Sequence, residues 1–421
     1  MLLVYAKHDC EIDDAGHKFR INAPEEPGKL RNKEIFVTTH TFAIHHAEVV
    51  QPVGMSKEIP LPPLLTREYI ENPPMKPKIR MIAHNGIGGG IGDCIGSMDA
   101  FKRLHEEFWK RGRQLEIDIL TQDGKWMWSD HIFMFVPYIH NIIPGGMDLP
   151  HYCSYDVMLD TEGYTTGMDA SGLTMSDYAC SLAHVDTEGP HRANWLIAES
   201  AVEETKEFIK DIPGPRAIVN FFASSFRSIP KTHRRKLVEG YAKQGYQVLV
   251  VARDVDAEAA RWAMKVKQKY RSQVHDCTEL TSRSLHHLAA LTGEVDFVST
   301  PDTGLMHICG LVGVPTVAVF YSIEPALRIR DYPSIAPFCP EAFRQGPHWG
   351  LHKPDLPSGI LASNDKEKIE PLMKLYSNPN CVPEYLDTWK KVDVEEILAV
   401  KPGPRVESVV GIAPMEKPDA E

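Results

Sequence analysis

The sequence has no CxxC pair, no HExxH, no GxSxG and no GxxxxGK[ST]. These gaps set aside dithiol redox, zincin, serine-hydrolase and P-loop chemistry. The eight cysteines, at 10, 94, 153, 180, 277, 309, 339 and 381, also lack the Cys/His spacing of a zinc site. Buried, reduced thiols in a reducing compartment are the expectation. Long apolar runs are missing too. The longest, HICGLVGVPTVAVFY, is broken by glycine and proline and falls short of the roughly 20 residues a membrane span requires. The start, MLLVYAKHDC, has too short an apolar run and too early a charge for a signal peptide. A cytoplasmic protein is expected.

Positive charge is scarce: 46 basic against 57 acidic residues give a formal net charge of −11. Such a surface repels phosphate backbones and anionic lipid, so general nucleic-acid binding is not expected. Short basic stretches, KPKIR at 76–80 and THRRK at 232–236, stand out locally. Otherwise, 421 residues with 43% apolar and 24% charged side chains describe an ordinary globular chain of two or three domains.

Residues 1–75 alternate β-prone pieces such as EIFVTTHTFAI (34–44) with turns and end in PLPPLL and ENPPMKPK. This reads as a small β-rich module and linker. From 79 the pattern becomes strand, loop, helix. IRMIAH is a short apolar run; Ile95, Met98, Phe101, Leu104 and Phe108 recur at helical spacing; LEIDILT (115–121) reads as the next strand. Residues 76–205 therefore form one α/β half. The second half, 206–345, repeats the logic: RAIVNFFAS (216–224) and YQVLVVA (246–252) bracket a helix, as do EVDFVST (294–300) and VPTVAVF (314–320). In 346–421, helices are expected at 365–376 and 383–391, followed by a loose tail.

The gap between the first strand and helix, HNGIGGGIGDCIG, is crowded with glycine. Glycines here let a backbone approach a ligand, and a helix start favours anions. The GxGxxG spacing of a dinucleotide site fails, because from Gly86, Gly88 and Gly90 the sixth positions are Ile91, Asp93 and Ile95. Asp118 lies inside a strand pattern rather than at its end. Asp93 either caps the helix or acts at the carboxyl end of a strand, where open α/β sheets build their sites.

At these residues the sequence resembles a known family. GGGIGDCIGSMDAFKRLHEEF and the strand-rich stretch after it are similar to the N-terminal domain of the ADP-heptose:lipopolysaccharide heptosyltransferases, glycosyltransferase family nine. SSFRSIPKTHRRKLVEGYAKQGYQVLVVA resembles the family's K-x-W-P segment. DTGLMHICGLVGVPTVAVF, at 302–320, is similar to its D-[ST]-G-x-x-H-x-A-x-x-x-G-x-P-T signature. The similarity runs from about 79 to 325. Arg227 stands where the family has lysine, Ile229 where it has tryptophan and Tyr321 where it has glycine.

The resemblance implies a glycosyltransferase B architecture, two Rossmann-like domains facing across a cleft, preceded here by the β-rich module. It implies inverting transfer of a heptose-like sugar from a nucleotide diphosphate, ADP-linked, to a hydroxyl of lipopolysaccharide or another glycan. No metal and no cofactor beyond the donor are implied, and no dedicated metal-binding DxD motif is evident. Asp93 would be the general base beside the loop glycines Gly89, Gly90 and Gly92. Arg227, Asp302, Thr303, Gly304 and His307 would bind the donor, with His307 a phosphate ligand or a core residue. A non-catalytic nucleotide-sugar-binding component, or an epimerase or hydrolase on the same fold, is the competing reading.

Overall fold

A computed structural model of the chain describes residues 2–7, 9–14, 17–23, 35–38, 50–53, 61–84, 90–121, 126–161, 171–187, 193–223, 227–346, 349 and 387–413. The chain divides into two compact units, Met1–Trp195 and Leu196–Glu421.

The first unit opens with β1 (Leu2–Ala6), the hairpin strands β2 (Cys10–Asp14) and β3 (His17–Ile21), then β4 (Phe36–Thr38) and β5 (Val50–Pro52). β4 is the described part of the run expected at 34–44. β1 pairs antiparallel with β4 on one side and β5 on the other. The parallel sheet expected after residue 79 follows, from β6 (Lys78–His84), β7 (Gln114–Thr121) and β8 (Ile139–Pro144), before a short β9 (Gly146–Asp148) and β10 (Val157–Leu159). Its order is β10-β6-β7-β8.

Helix α1 (Ile91–Lys110) joins β6 to β7 and buries Ile95, Met98, Phe101, Leu104 and Phe108, the five residues at helical spacing. Withdrawing each such side chain from water is worth about 1.5–3 kcal/mol. β9 returns to pair with β4, so the N-terminal sheet takes a strand from the α/β unit. Gly146 permits that approach, because a Cβ there would lie 2.3 Å from the Phe36 ring. Leu3, Ile35 and Val37 share one core with Ile82, Leu120 and Tyr152.

The second unit starts at β11 (Trp195–Ala198) and α2 (Glu199–Ile209), a helix that packs on α5 (Leu285–Gly293). Its sheet contains β12 (Arg216–Asn220), β13 (Gln247–Val251), β14 (Val274–Asp276), β15 (Phe297–Pro301), β16 (Thr316–Val319) and β17 (Ile335–Phe338). Every pairing is parallel, in the order β14-β13-β12-β15-β16-β17. Counted along the chain this is 3-2-1-4-5-6, the doubly wound order, with its switch point between β12 and β15. Helices α3 (Lys231–Lys243), α4 (Ala257–Ala263) and α6 (Gly304–Val312) link the strands. Fully buried strands such as β15 and β16 explain the continuous apolar runs that mark this half of the sequence.

One expectation for the C-terminus needs correcting. The tail is fastened as far as Ala413: Val406 N–H donates to Gly313 O at 3.0 Å and Val409 N–H to Leu311 O at 2.9 Å. β18 (Val410–Ala413) then pairs with β11. Backbone hydrogen bonding gave no side-chain periodicity to read. The helix expected at 365–376 lies outside the described residues, as does the first part of 383–391. Among the described residues six cysteines are free thiols, and burial pushes those of Cys180, Cys277 and Cys309 up to about 12, which leaves them inert.

Candidate functional site

β12 and β15 lie side by side, Ala217 against Phe297 and Val219 against Ser299, so the loops beyond them leave the sheet together. Asn220 ends β12 and holds both. Its Nδ2 donates to Phe222 O at 2.9 Å and to Thr300 Oγ1 at 3.1 Å, while its Oδ1 accepts from Phe222 N–H at 3.1 Å. The turn that follows is closed twice more. Ile229 N–H donates to Phe221 O at 2.8 Å, and Ala223 N–H donates to Ser228 Oγ at 3.0 Å. Arg227 therefore stands on a loop whose two ends are fixed.

From that loop Arg227 Nη1 donates to Asp302 Oδ2 at 2.7 Å. The two side chains keep only 11% and 3% of their exposure, so Arg227 is no solvated surface arginine. Asp302 is anchored in turn, its N–H donating to Val319 O at 3.0 Å. Thr303 is the N-cap of α6, with extended backbone and no side-chain capping bond to the helix. Gly304 is the first helical residue, so a guanidinium and the positive end of a helix dipole meet at the switch point. That combination suits an anion such as a diphosphate.

His307 sits one turn further in, 4% exposed and edge-on to Tyr332 at 5.8 Å. Gly310 lies under the same ring, where a Cβ would come within 2.3 Å of it. His307 is thus packed inside the second unit. Asn220 and Ser228, which fix the loop, were not singled out in the sequence. Short polar residues just past an apolar run were the available signal.

Asp93 belongs to the other unit, as the third residue of α1. Its Oδ2 accepts from Gly90 N–H at 2.9 Å, the return half of a capping box. Gly90 is the N-cap, and a Cβ there would lie 3.2 Å from that same oxygen, so the glycine makes room for the cap. Gly92 is the second helical residue; Gly89 lies outside the described residues. The strand before the loop ends at fully buried His84, whose Nε2 is 2.9 Å from the Tyr152 hydroxyl. Asp118, inside β7 as expected, is buried and accepts from the Tyr155 hydroxyl, with His140 Nδ1 at 3.2 Å. These are the partners a buried carboxylate requires. Among the described residues no group of three or more His, Cys, Asp or Glu is placed to hold a metal ion.

Residues 181–332, which span the switch point, match the sequence model of Glycosyltransferase family 9 (heptosyltransferase). No curated protein matches the chain. Among solved structures, E. coli ADP-heptose lps heptosyltransferase II is 14% identical over 70% of this chain and 99% of its own, with a TM-score of 0.48. A glycosyl transferase family 9 protein from Veillonella parvula is 14% identical over 76% and 97%, with a TM-score of 0.49. The iron-containing dodecameric glycosyltransferase TibC from enterotoxigenic E. coli is 14% identical over 75% and 72%, with a TM-score of 0.39. Through the segment 181–332, which carries Arg227, Asp302, Thr303, Gly304 and His307, the chain is similar to Glycosyltransferase family 9 (heptosyltransferase).

Proposed function

We propose that the chain transfers a heptose-like sugar from an ADP-linked donor to a hydroxyl acceptor of a glycan such as lipopolysaccharide, with inversion and without a metal. The observation that carries this reading is the Arg227–Asp302 pair at the start of α6, at the switch point of a 3-2-1-4-5-6 sheet. A nucleotide diphosphate bound there gains charge as the glycosidic bond breaks. The Arg227 guanidinium and the α6 dipole stabilise that charge where other enzymes use a cation. Thr303 adds a hydroxyl, and Gly304 lets the backbone approach the phosphates. Asp302 orients Arg227 and takes a sugar or ribose hydroxyl rather than a phosphate, which it would repel. Asp93 removes the proton of the attacking hydroxyl, and a single displacement with one base gives inversion.

Incubation with a panel of nucleotide sugars, first without acceptor, tests this. Slow hydrolysis of an ADP-linked sugar, lost in Gly304→Val, is the expected result. Epimer formation, or binding with no turnover under any acceptor, would favour the competing readings of an epimerase or a binding component.

A further inference from the structure

Eleven consecutive residues, 261–271, carry Arg261, Lys265, Lys267, Lys269 and Arg271 and no carboxylate, in a chain of net charge −11. The segment runs from the end of α4 through a 3-10 turn, Gln268–Gln273, and both pieces pack along α3. α3 begins with a second acid-free stretch, KTHRRK, and turns Lys231 and Arg235, one helical turn apart, toward the same neighbour. The Lys231 Nζ is 4.5 Å and the Arg235 guanidinium carbon 4.4 Å from the centre of the Trp262 ring. Lys269 Nζ lies 4.7 Å from the centre of Tyr270.

Local acids offset little of this charge. Arg261 pairs with Asp276 at 3.4 Å and Lys267 with Glu239 at 3.4 Å. Lys231, Arg235, Lys265, Lys269 and Arg271 have no carboxylate within ion-pair distance among the described residues. Arg235 Nε is buried with no hydrogen-bond partner among them. Two cations over one ring repel each other, an arrangement relieved by an outside anion.

We propose that this face, centred on Trp262, docks the protein on an anionic membrane surface. Charge complementarity selects an acidic partner, and the side chains select lipid. Three of the five cations in the run are lysines, compact charges suited to a headgroup layer rather than to forked recognition of a base. Trp262 and Tyr270 are half-buried amphipathic rings among them, the residues that settle at a membrane interface. No described helix is long enough and apolar enough to cross a membrane; surface docking of this kind would bring the second unit to lipid-linked material. The choice of lipid over other polyanions leans on the glycan-acceptor reading; the binding itself does not.

Sedimentation of the full chain with phosphatidylcholine vesicles, with and without phosphatidylglycerol, tests the proposal in the absence of donor. Binding is expected only with the anionic lipid and is expected to fade with added salt. The triple variant Lys265→Gln, Lys269→Gln, Arg271→Gln should weaken it on the order of 100-fold. A control with the same charge change elsewhere, Lys206→Gln, Lys390→Gln, Lys401→Gln, should bind as the parent does. No binding to the anionic vesicles, equal loss in both triples, or tighter binding to an oligonucleotide than to the vesicles would each overturn the proposal. Donor hydrolysis, measured on the same preparations, reports separately on the transferase reading.

Discussion

Arg227 and Asp302, 75 residues apart in sequence, form a largely buried ion pair at 2.7 Å that ties the loop after β12 to the residue just before the N-cap of α6. In the proposed donor site the pair makes each residue's role inseparable from the other's. Removing one partner leaves a charge stranded out of water, at a cost of about 3–5 kcal/mol.

Arg227→Ala is therefore expected to lower both the unfolding midpoint and ADP affinity, and Asp302→Ala to do the same. The double variant should lose much less than the sum, because it strands no charge. Calorimetric ADP binding and thermal melts over the full cycle measure this. Strict additivity would show that the pair is incidental. Arg227→Lys should retain the stability better than the affinity, since an ammonium cannot serve carboxylate and phosphate as a fork does.

Asp93 has a structural duty that any test of catalysis must keep. Asp93→Asn retains a carbonyl oxygen for Gly90 N–H, so its melting temperature should hold while kcat falls about 100-fold, the scale of base catalysis. Asp93→Ala should fall equally in kcat and also lose about 1 kcal/mol of stability with the cap. Turnover at the parent rate in the asparagine variant would confine Asp93 to capping.

Transfer should survive chelation. If Arg227 and the α6 dipole carry the leaving charge, exhaustive dialysis against EDTA leaves kcat/KM within about twofold. A loss that added divalent ion or iron restores would place a metal in the reaction.

Stability should fall on acidification through His233. Its ring stands edge-on to Trp389 at 5.1 Å, Nε2 is 3.2 Å from Val392 O, and burial lowers its pKa below the usual 6.5. The unfolded chain thus takes up a proton between the lowered value and 6.5 that the native state refuses. The stabilisation is complete above 6.5 and is lost as pH falls through the folded pKa. Urea midpoints from pH 7.5 to 5 should decline, and less steeply in His233→Gln.

The second unit was the more legible half. Its strands are buried on both faces, so RAIVN, QVLVV and TVAV announce themselves as apolar runs, and Gly313, at φ +74°, marks the end of α6. The proposed donor residues came from resemblance to a signature, but their mutual geometry was not legible. Nothing local in the sequence pairs Arg227 with Asp302; only strand order does. The fastening of 401–413 was invisible for a similar reason, since backbone groups make it. Nor did the sequence tell of β9, three residues that are recognisable as a strand only beside β4.

That last pairing sets a schedule for synthesis. β4 leaves the ribosome about a hundred residues ahead of the strand that completes its sheet, and at roughly 5–20 residues per second the wait lasts on the order of 5–20 seconds. Through that interval the edge of Phe36–Thr38 is an unpaired template, open to another nascent chain. Slowing translation between codons 40 and 146 should lengthen the exposure and raise the aggregated fraction. Supplying an early mimic of 146–148 should reduce it.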